Sequence, residues 1–298
     1  MTIGSPITSP LFEPEVCGST CTIATVGLTD PSARAVSPIT GTIVRWRIRE
    51  ADAVPYTLRV LTPGGGGAFT PTASSPAAVP VGPGLETFSV QIPIAAGEVI
   101  GVDLAAGAHI GFIEGSGGTY GYHAPGIVPN GSPSQFELGP GEAAFNADVQ
   151  PFPAVTALAP SKGSIAGGTT VTISGTDFSG VTAVSFGGAA AKSFAVASET
   201  QLTAVAPKTV KPGPVDVTVT TIAGSSPATA AKFTYTACVV PRLTGKKLKA
   251  DRKKLRKAGC KLGNVRGEKS KAAKVVKQFR KPGTILPAGA KVGVKVEE

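Results

Sequence analysis

The stretch TIVRWRI (42–48) alternates apolar and charged residues with a period of two, and that alternation narrows the fold more than any other feature. A helix would repeat its apolar positions every three or four residues. Here Val44, Trp46 and Ile48 fall on one side, and Ile43, Arg45 and Arg47 on the other. The pattern returns in YTLRVL (56–61), ETFSVQIPI (86–94), EVIGVDL (98–104), HIGFIE (109–114) and FNADVQP (145–151). Gly and Pro stand between these runs, so residues 1–152 are predicted to form an antiparallel β-sandwich. Arg45, Arg47, Arg49 and Arg59 are expected on outward faces as a solvated ladder, with an anion-binding strip as the functional alternative. The segment TPGGGGAFTPTASSP (62–76) is expected to be a flexible loop. It has no Lys and no helix after it, so it is not a phosphate-binding loop.

Charge divides the chain unevenly. Residues 1–152 carry a net −7 and contain no Lys, residues 153–237 carry +2, and residues 238–298 carry +15. Such breaks mark modules with separate jobs, here 1–152, 153–237 and 238–298. No run of apolar residues is long enough for a membrane span, and MTIGSPITSPLF lacks the basic start and apolar core of a signal peptide. The chain is therefore either cytosolic or has lost a leader. The cysteines fall as Cys17 with Cys21 and Cys238 with Cys260, each pair within one module. C-x-x-x-C is not a zinc half-site, and His109 and His123 are not placed to complete one. Two local disulfides, Cys17–Cys21 and Cys238–Cys260, are predicted, which points outside the cytosol. No metal or other cofactor is expected.

The runs VRWRI, LRVL, IPIAAGEVIGVDL and FNADVQP resemble jelly-roll sandwich modules of secreted actinobacterial proteins. The resemblance implies a fold and an address, not an activity. Residues 153–237 read more sharply. PAVTALAPSKGSIAGGTTVTISGTDF (153–178), VSFGG (184–188), SETQLTAVAP (198–207) and GPVDVTVTTIAGSS (213–226) resemble the IPT/TIG immunoglobulin-like domain. Pro153, Pro160, Gly163, Gly167, Gly168, Gly175, Phe178, Phe186, Gly187 and Thr200 sit where that family's pattern has them. The resemblance implies a rigid spacer, with Val171, Ile173 and Phe178 in its core.

Residues 238–298 open with CVVPRLTGKKLKADRKKLRKAGCKLGNV and close with AKVVKQFRKPGTILPAGAKVGVKVEE. Val239, Val240, Pro241, Leu243, Gly245, Leu248, Leu255, Gly259, Val276, Gln278, Pro282, Gly283, Thr284, Gly289, Val292, Val294 and Val296 carry a resemblance to the PASTA domain. That implies a small α+β unit with one helix and binding to peptidoglycan fragments. The helix is KKLKADRKKLRKAGC (246–260), in which eight of fifteen residues are Lys or Arg. Leu248, Leu255 and Gly259 share its narrow inner face, Gly259 ends it, and the rest is basic and exposed.

Several partners fit so basic a face. An anionic envelope polymer, peptidoglycan or a wall phosphate chain, ranks first. A merely solubilising surface follows. Specific nucleic-acid binding would need stacking aromatics, and Phe279 is the one aromatic there. Membrane insertion would need a broad apolar face. The helix cations, with Lys246, Lys247, Lys253, Lys254 and Lys257 foremost, are expected to act by net field. Any specific wall contact is expected near Lys277, Gln278, Arg280 and Lys281.

No catalytic constellation stands out. There is no G-x-S-x-G, His109 is placed in a strand and His123 in a Tyr-flanked loop. Asp103, Glu114 and Asp148 read as structural or solvated carboxylates. The chain is thus expected to be a non-catalytic, secreted or cell-surface binding or adhesion protein. Its N-terminal module is a candidate carbohydrate reader. The competing reading is a carbohydrate-active or esterase-like enzyme built on that module, which a cleft joining Tyr120, Tyr122 or His123 to a carboxylate would favour.

Overall fold

The computed structural model describes residues 1–7, 12–49, 51–82, 84–113, 116–128, 131–228, 231–245, 247–267, 270 and 272–298. They form two compact units, Met1–Phe152 with Ile222–Gly224, and Pro153–Thr221 with Ser225–Glu298. Strands dominate both, as the alternation predicts, and the described residues hold one α-helix.

The first unit stacks sheets face to face. One sheet runs in the order Thr2–Gly4, Phe145–Pro151, Gly41–Arg49, Leu85–Ile94. A longer one runs Ser134–Gln135, Ala68–Ser74, Thr57–Pro63, Val99–Leu104, Cys21–Gly27, Thr119–His123, Glu137–Pro140. Glu142–Ala143, His109–Ile113 and Phe12–Val16 make a third. Neighbouring strands run antiparallel throughout. Ile43, Trp46, Ile48 and Phe145 from the first sheet meet Leu58, Val60, Ile100 and Val102 from the second in one core.

The alternation in TIVRWRI is broken once. Ile43 is fully buried together with Trp46 and Ile48, not turned out with Arg45. A bulge between Ile43 and Arg45, seen in the pairing with Leu85–Ile94, moves the inner face by one residue.

The arginine ladder is corrected too. Arg59 is only 7% exposed. Its Nε donates to Asp103 Oδ2 at 2.7 Å, and its Nη2 reaches the same oxygen and the Ile127 carbonyl. Thr22 Oγ1 donates to the other Asp103 oxygen at 2.6 Å and accepts from Ile127 N at 3.0 Å. The chain around Ile127 thus covers this end of the sheet, and the charge beneath it is neutralised in place. Arg45 and Arg47 are not merely solvated either. Arg47 clasps Asp148 with Nη1 and Nη2 at 3.0 and 2.7 Å, and Arg45 Nε adds a bond of 2.7 Å. Asp103 and Asp148 are thus both ion-paired with arginines. Glu114 lies outside the described residues.

Burial would raise the Asp148 carboxyl, but Arg47, the Thr2 hydroxyl and Arg45 together pull it down to about 2. A depressed carboxylate contributes stability above its unfolded value, near 4, and loses it as the pH falls towards 2. Asp148→Asn should remove about 1–2 kcal/mol at pH 7, allowing for solvent screening, and flatten the acid limb of the unfolding curve. Urea unfolding of both proteins from pH 7 to pH 2 checks this, and parallel curves would refute it.

Two expected loops are ordered. Thr57–Pro63 and Ala68–Ser74 pair as a hairpin closed by a 3₁₀ turn at Gly65–Gly67. Gly66 and Gly67 take φ of 68° and 82°, so the glycines form the turn instead of loosening the chain. TYGYH is likewise a strand, Thr119–His123, hydrogen-bonded on both sides.

The second unit begins with an immunoglobulin-like sandwich. Ala154–Ala159, Thr170–Thr176, Gln201–Val205 and Ser193–Ser198 form one sheet in that order. Lys162–Ser164, Lys232–Val239, Gly213–Thr221, Val181–Phe186 and Ala189–Ala190 form the other. Val171, Ile173 and Phe178 are fully buried between them, as predicted. Strand Lys232–Val239 runs on past Ala237. It pairs with Gly213–Thr221 near its start and with Ile285–Pro287 near its end.

The C-terminal part has a sheet ordered Lys261–Arg266, Lys291–Glu297, Lys274–Gln278, its first pair parallel and its second antiparallel. Helix α1, Leu248–Lys257, packs over a core of Cys238, Val240, Leu243, Leu255, Val292, Val294 and Val296. Cys238 and Cys260 are disulfide-bonded with Cα atoms 4.6 Å apart, and Cys17 and Cys21 with Cα atoms 6.0 Å apart, as predicted.

Candidate functional site

The basic helix is the strongest candidate, and its geometry follows from how its inner face is held. Leu255 is fully buried and Leu248 half-buried, both towards the core. Asp251 is fully buried on the same side, so it does not dilute the surface charge. The C-terminus closes in a Schellman motif: Cys260 N donates to Leu255 O at 2.8 Å and Gly259 N to Arg256 O at 3.1 Å. Gly259 has φ of 70°, and a Cβ there would come within 2.4 Å of the Ala237 carbonyl. The disulfide then ties this end to the first strand. Lys254, Arg256 and Lys257 in the last turn also complement the helix dipole.

With the inner face fixed, the outer face is fixed as well. Lys249, Arg252, Lys253, Arg256 and Lys257 line one shallow hollow of about 590 Å³. All five are exposed. Lys253 and Lys257 are thus brought together, with Lys249, Arg252 and Arg256, which the foremost set omitted. Their spacing of three and four residues is the signal that identifies them. Lys254 lies elsewhere, its ammonium donating to the Arg242 carbonyl at 2.6 Å. Lys247 precedes the helix in an extended conformation and bridges to Lys274. Lys246 falls outside the described residues.

The second predicted cluster surrounds Gln278, at the end of strand Lys274–Gln278. The Gln278 amide is engaged with backbone: Oε1 accepts from Leu243 N at 2.8 Å, and Nε2 donates to Arg280 O at 2.7 Å and Pro241 O at 3.2 Å. Gln278 is a clamp between its strand and the 241–243 segment. Lys277, Arg280 and Lys281 stay exposed beside it. Phe279 is 44% exposed and lies beneath the Arg266 guanidinium, 5.2 Å from ring centroid to Cζ. Gln278→Ala should cost about 2 kcal/mol, since it strands a backbone N–H and two carbonyls. It should leave wall binding of the folded protein unchanged. Chemical denaturation with a parallel binding assay checks both, and lost binding with unchanged stability would refute the clamp.

In the first unit, His109 Nδ1 lies 2.7 Å from Asp52 Oδ2, and that hydrogen bond holds the Asp52 carboxyl below its usual range. The same oxygen accepts from His109 N, and Tyr56 O–H donates to the His109 carbonyl. The network pins a strand end. His123 Nδ1 meets the Gln135 carbonyl at 2.7 Å, and its ring lies flat against Phe136. Tyr120 packs edge-on against Phe112. Among the described residues no three His, Cys, Asp or Glu side chains converge to hold a metal ion.

Comparison with known families agrees with this architecture. Residues 153–235 match the IPT/TIG domain, and residues 239–298 match the PASTA domain. The chain therefore carries an IPT/TIG domain followed by a PASTA domain, both non-catalytic domain types. A search of curated proteins returns no match. Among solved structures, two forms of the plexin A4 full extracellular region, with domains 1 to 8 and domains 1 to 10, each share 16% identity at a TM-score of 0.27. The matches cover 79% and 82% of this chain but 18% and 16% of those chains, so this chain spans under a fifth of their length. No helix among the described residues is long and apolar enough to cross a membrane.

Proposed function

We propose that this protein is a non-catalytic cell-envelope binding protein of the extracellular side. Its PASTA domain attaches to an anionic wall polymer, and its IPT/TIG domain is a spacer behind the N-terminal sandwich. The observation that carries the reading is the five-cation face of α1, held outward by a buried leucine, a helix stop and a disulfide. Like charges at these spacings repel by a few tenths of a kcal/mol per pair, so the face costs stability that an anionic partner would recover. PASTA domains generally take peptidoglycan-related ligands, and two disulfides suit an oxidising compartment.

The test is cosedimentation of the full chain with purified cell walls over a range of salt. Binding should be strong at low salt and fall steeply towards physiological salt, where screening shortens to about 8 Å. A folded chain that stays in the supernatant at every salt concentration would overturn the reading.

A further inference from the structure

The five cations are not scattered over the helix. Lys249, Lys253 and Lys257 are four residues apart, and so are Arg252 and Arg256. They make two adjacent rows along one face, with about 6 Å of rise at each step. Asp251 is turned into the core, so no acidic side chain of α1 interrupts them. Lys254, the remaining cation of the helix, is held aside on the Arg242 carbonyl.

We infer that this face is a linear track for a polymer with anionic charge in its backbone, specifically a polyol phosphate chain joined by phosphodiesters. The inference rests on the envelope-attachment reading and narrows its ligand. A row of three cations flanked by a pair, each step about one helical turn, matches charges that repeat regularly along one line. Consecutive phosphates of a polyol phosphate chain are separated by a few single bonds, a span comparable to one helical turn. Peptide carboxylates of peptidoglycan sit instead on side branches, at the ends of flexible stems. A phosphodiester also stays ionised throughout the physiological pH range. Arg252 and Arg256 present planar forks that take two phosphate oxygens at once, while the lysines follow as mobile point charges. A nucleic acid carries the same backbone charge, but no aromatic side chain among the described residues lines the hollow to stack a base.

The track differs from a diffuse field in one measurable way: position matters at constant net charge. Full-length protein would be titrated with short poly(glycerol phosphate), with poly-L-glutamate of equal charge and with oligothymidylate, and would be cosedimented with walls before and after chemical removal of their phosphate polymers. The double variant Lys253→Gln/Lys257→Gln should weaken poly(glycerol phosphate) binding about tenfold at low salt. Lys261→Gln/Lys291→Gln removes the same charge from exposed strand positions and should change it by no more than about twofold. Poly(glycerol phosphate) should be preferred to both other polymers, and wall binding should fall when the phosphate polymer is stripped.

Equal losses in the two double variants would replace the track with a net field. Preference for polyglutamate, or undiminished binding to stripped walls, would overturn the phosphate assignment while leaving wall attachment intact. Tighter binding of oligothymidylate would assign the face to nucleic acid. Absence of binding to either wall preparation would remove the envelope reading itself.

Discussion

Replacing Cys238 and Cys260 together by Ser is expected to destabilise the PASTA domain by about 3 kcal/mol, because the bond closes a long loop in the unfolded chain. The two cysteines are 22 residues apart, and the segment between them includes the whole basic helix. A domain of this size buries little core, so it has few other means of offsetting that loss. Its helix also carries cations at most exposed positions. Amide hydrogen exchange across 248–257, with and without the bond, is the direct measurement. Protection should collapse in the double variant and in reduced protein while that of 170–176 in the IPT/TIG domain persists. Undiminished helix protection would contradict the account. Cys17→Ser/Cys21→Ser should cost less, since that bond spans only four residues.

Trp46→Ala should cost the first unit about 3–5 kcal/mol. Trp46 is fully buried between the sheets, its ring 4.9 Å from that of Phe88. The neighbours come from several strands and cannot all close on the cavity. Its indole Nε1 has no hydrogen-bond partner among the described residues. Trp46→Phe therefore relieves a buried unpaired donor while keeping most of the ring, and should cost about 1–2 kcal/mol or less. As Trp46 is the one tryptophan in the chain, unfolding must be followed by circular dichroism, not indole fluorescence. An alanine variant within about 1 kcal/mol of the parent would show that this core is not continuous.

The strands were legible because burial on one face imposes a period of two, and the motifs of residues 153–298 are dense enough to name both domains. What escaped depends on partners distant in sequence. The bulge after Ile43 belongs to the pairing of Gly41–Arg49 with Leu85–Ile94, and no local residue announces it. Arg59 reads as an outward arginine until Asp103, 44 residues away, and the Ile127 carbonyl close around it. Gln278 is singled out because it lies near the hairpin that carries the PASTA resemblance, and its structural role is not legible there. Its actual partners, Pro241 and Leu243, are brought to it by the fold. The four glycines at 64–67 suggested looseness, although adjacent residues with positive φ are what a tight hairpin requires. The basic track was within reach of the sequence. Once Leu248 and Leu255 define the inner face, helical spacing alone places Lys249, Arg252, Lys253, Arg256 and Lys257 along one flank of the helix and Lys254 on the other.

The central claim is that this face binds, and does not merely keep the protein in solution. The most direct measurement compares the full chain with a variant carrying Gln at 249, 252, 253, 256 and 257, cosedimented with intact cell walls at low salt. Helix content by circular dichroism serves as the folding control. The account predicts that the variant remains folded and soluble and loses wall binding by at least about tenfold. A folded variant that binds walls as well as the parent would contradict it.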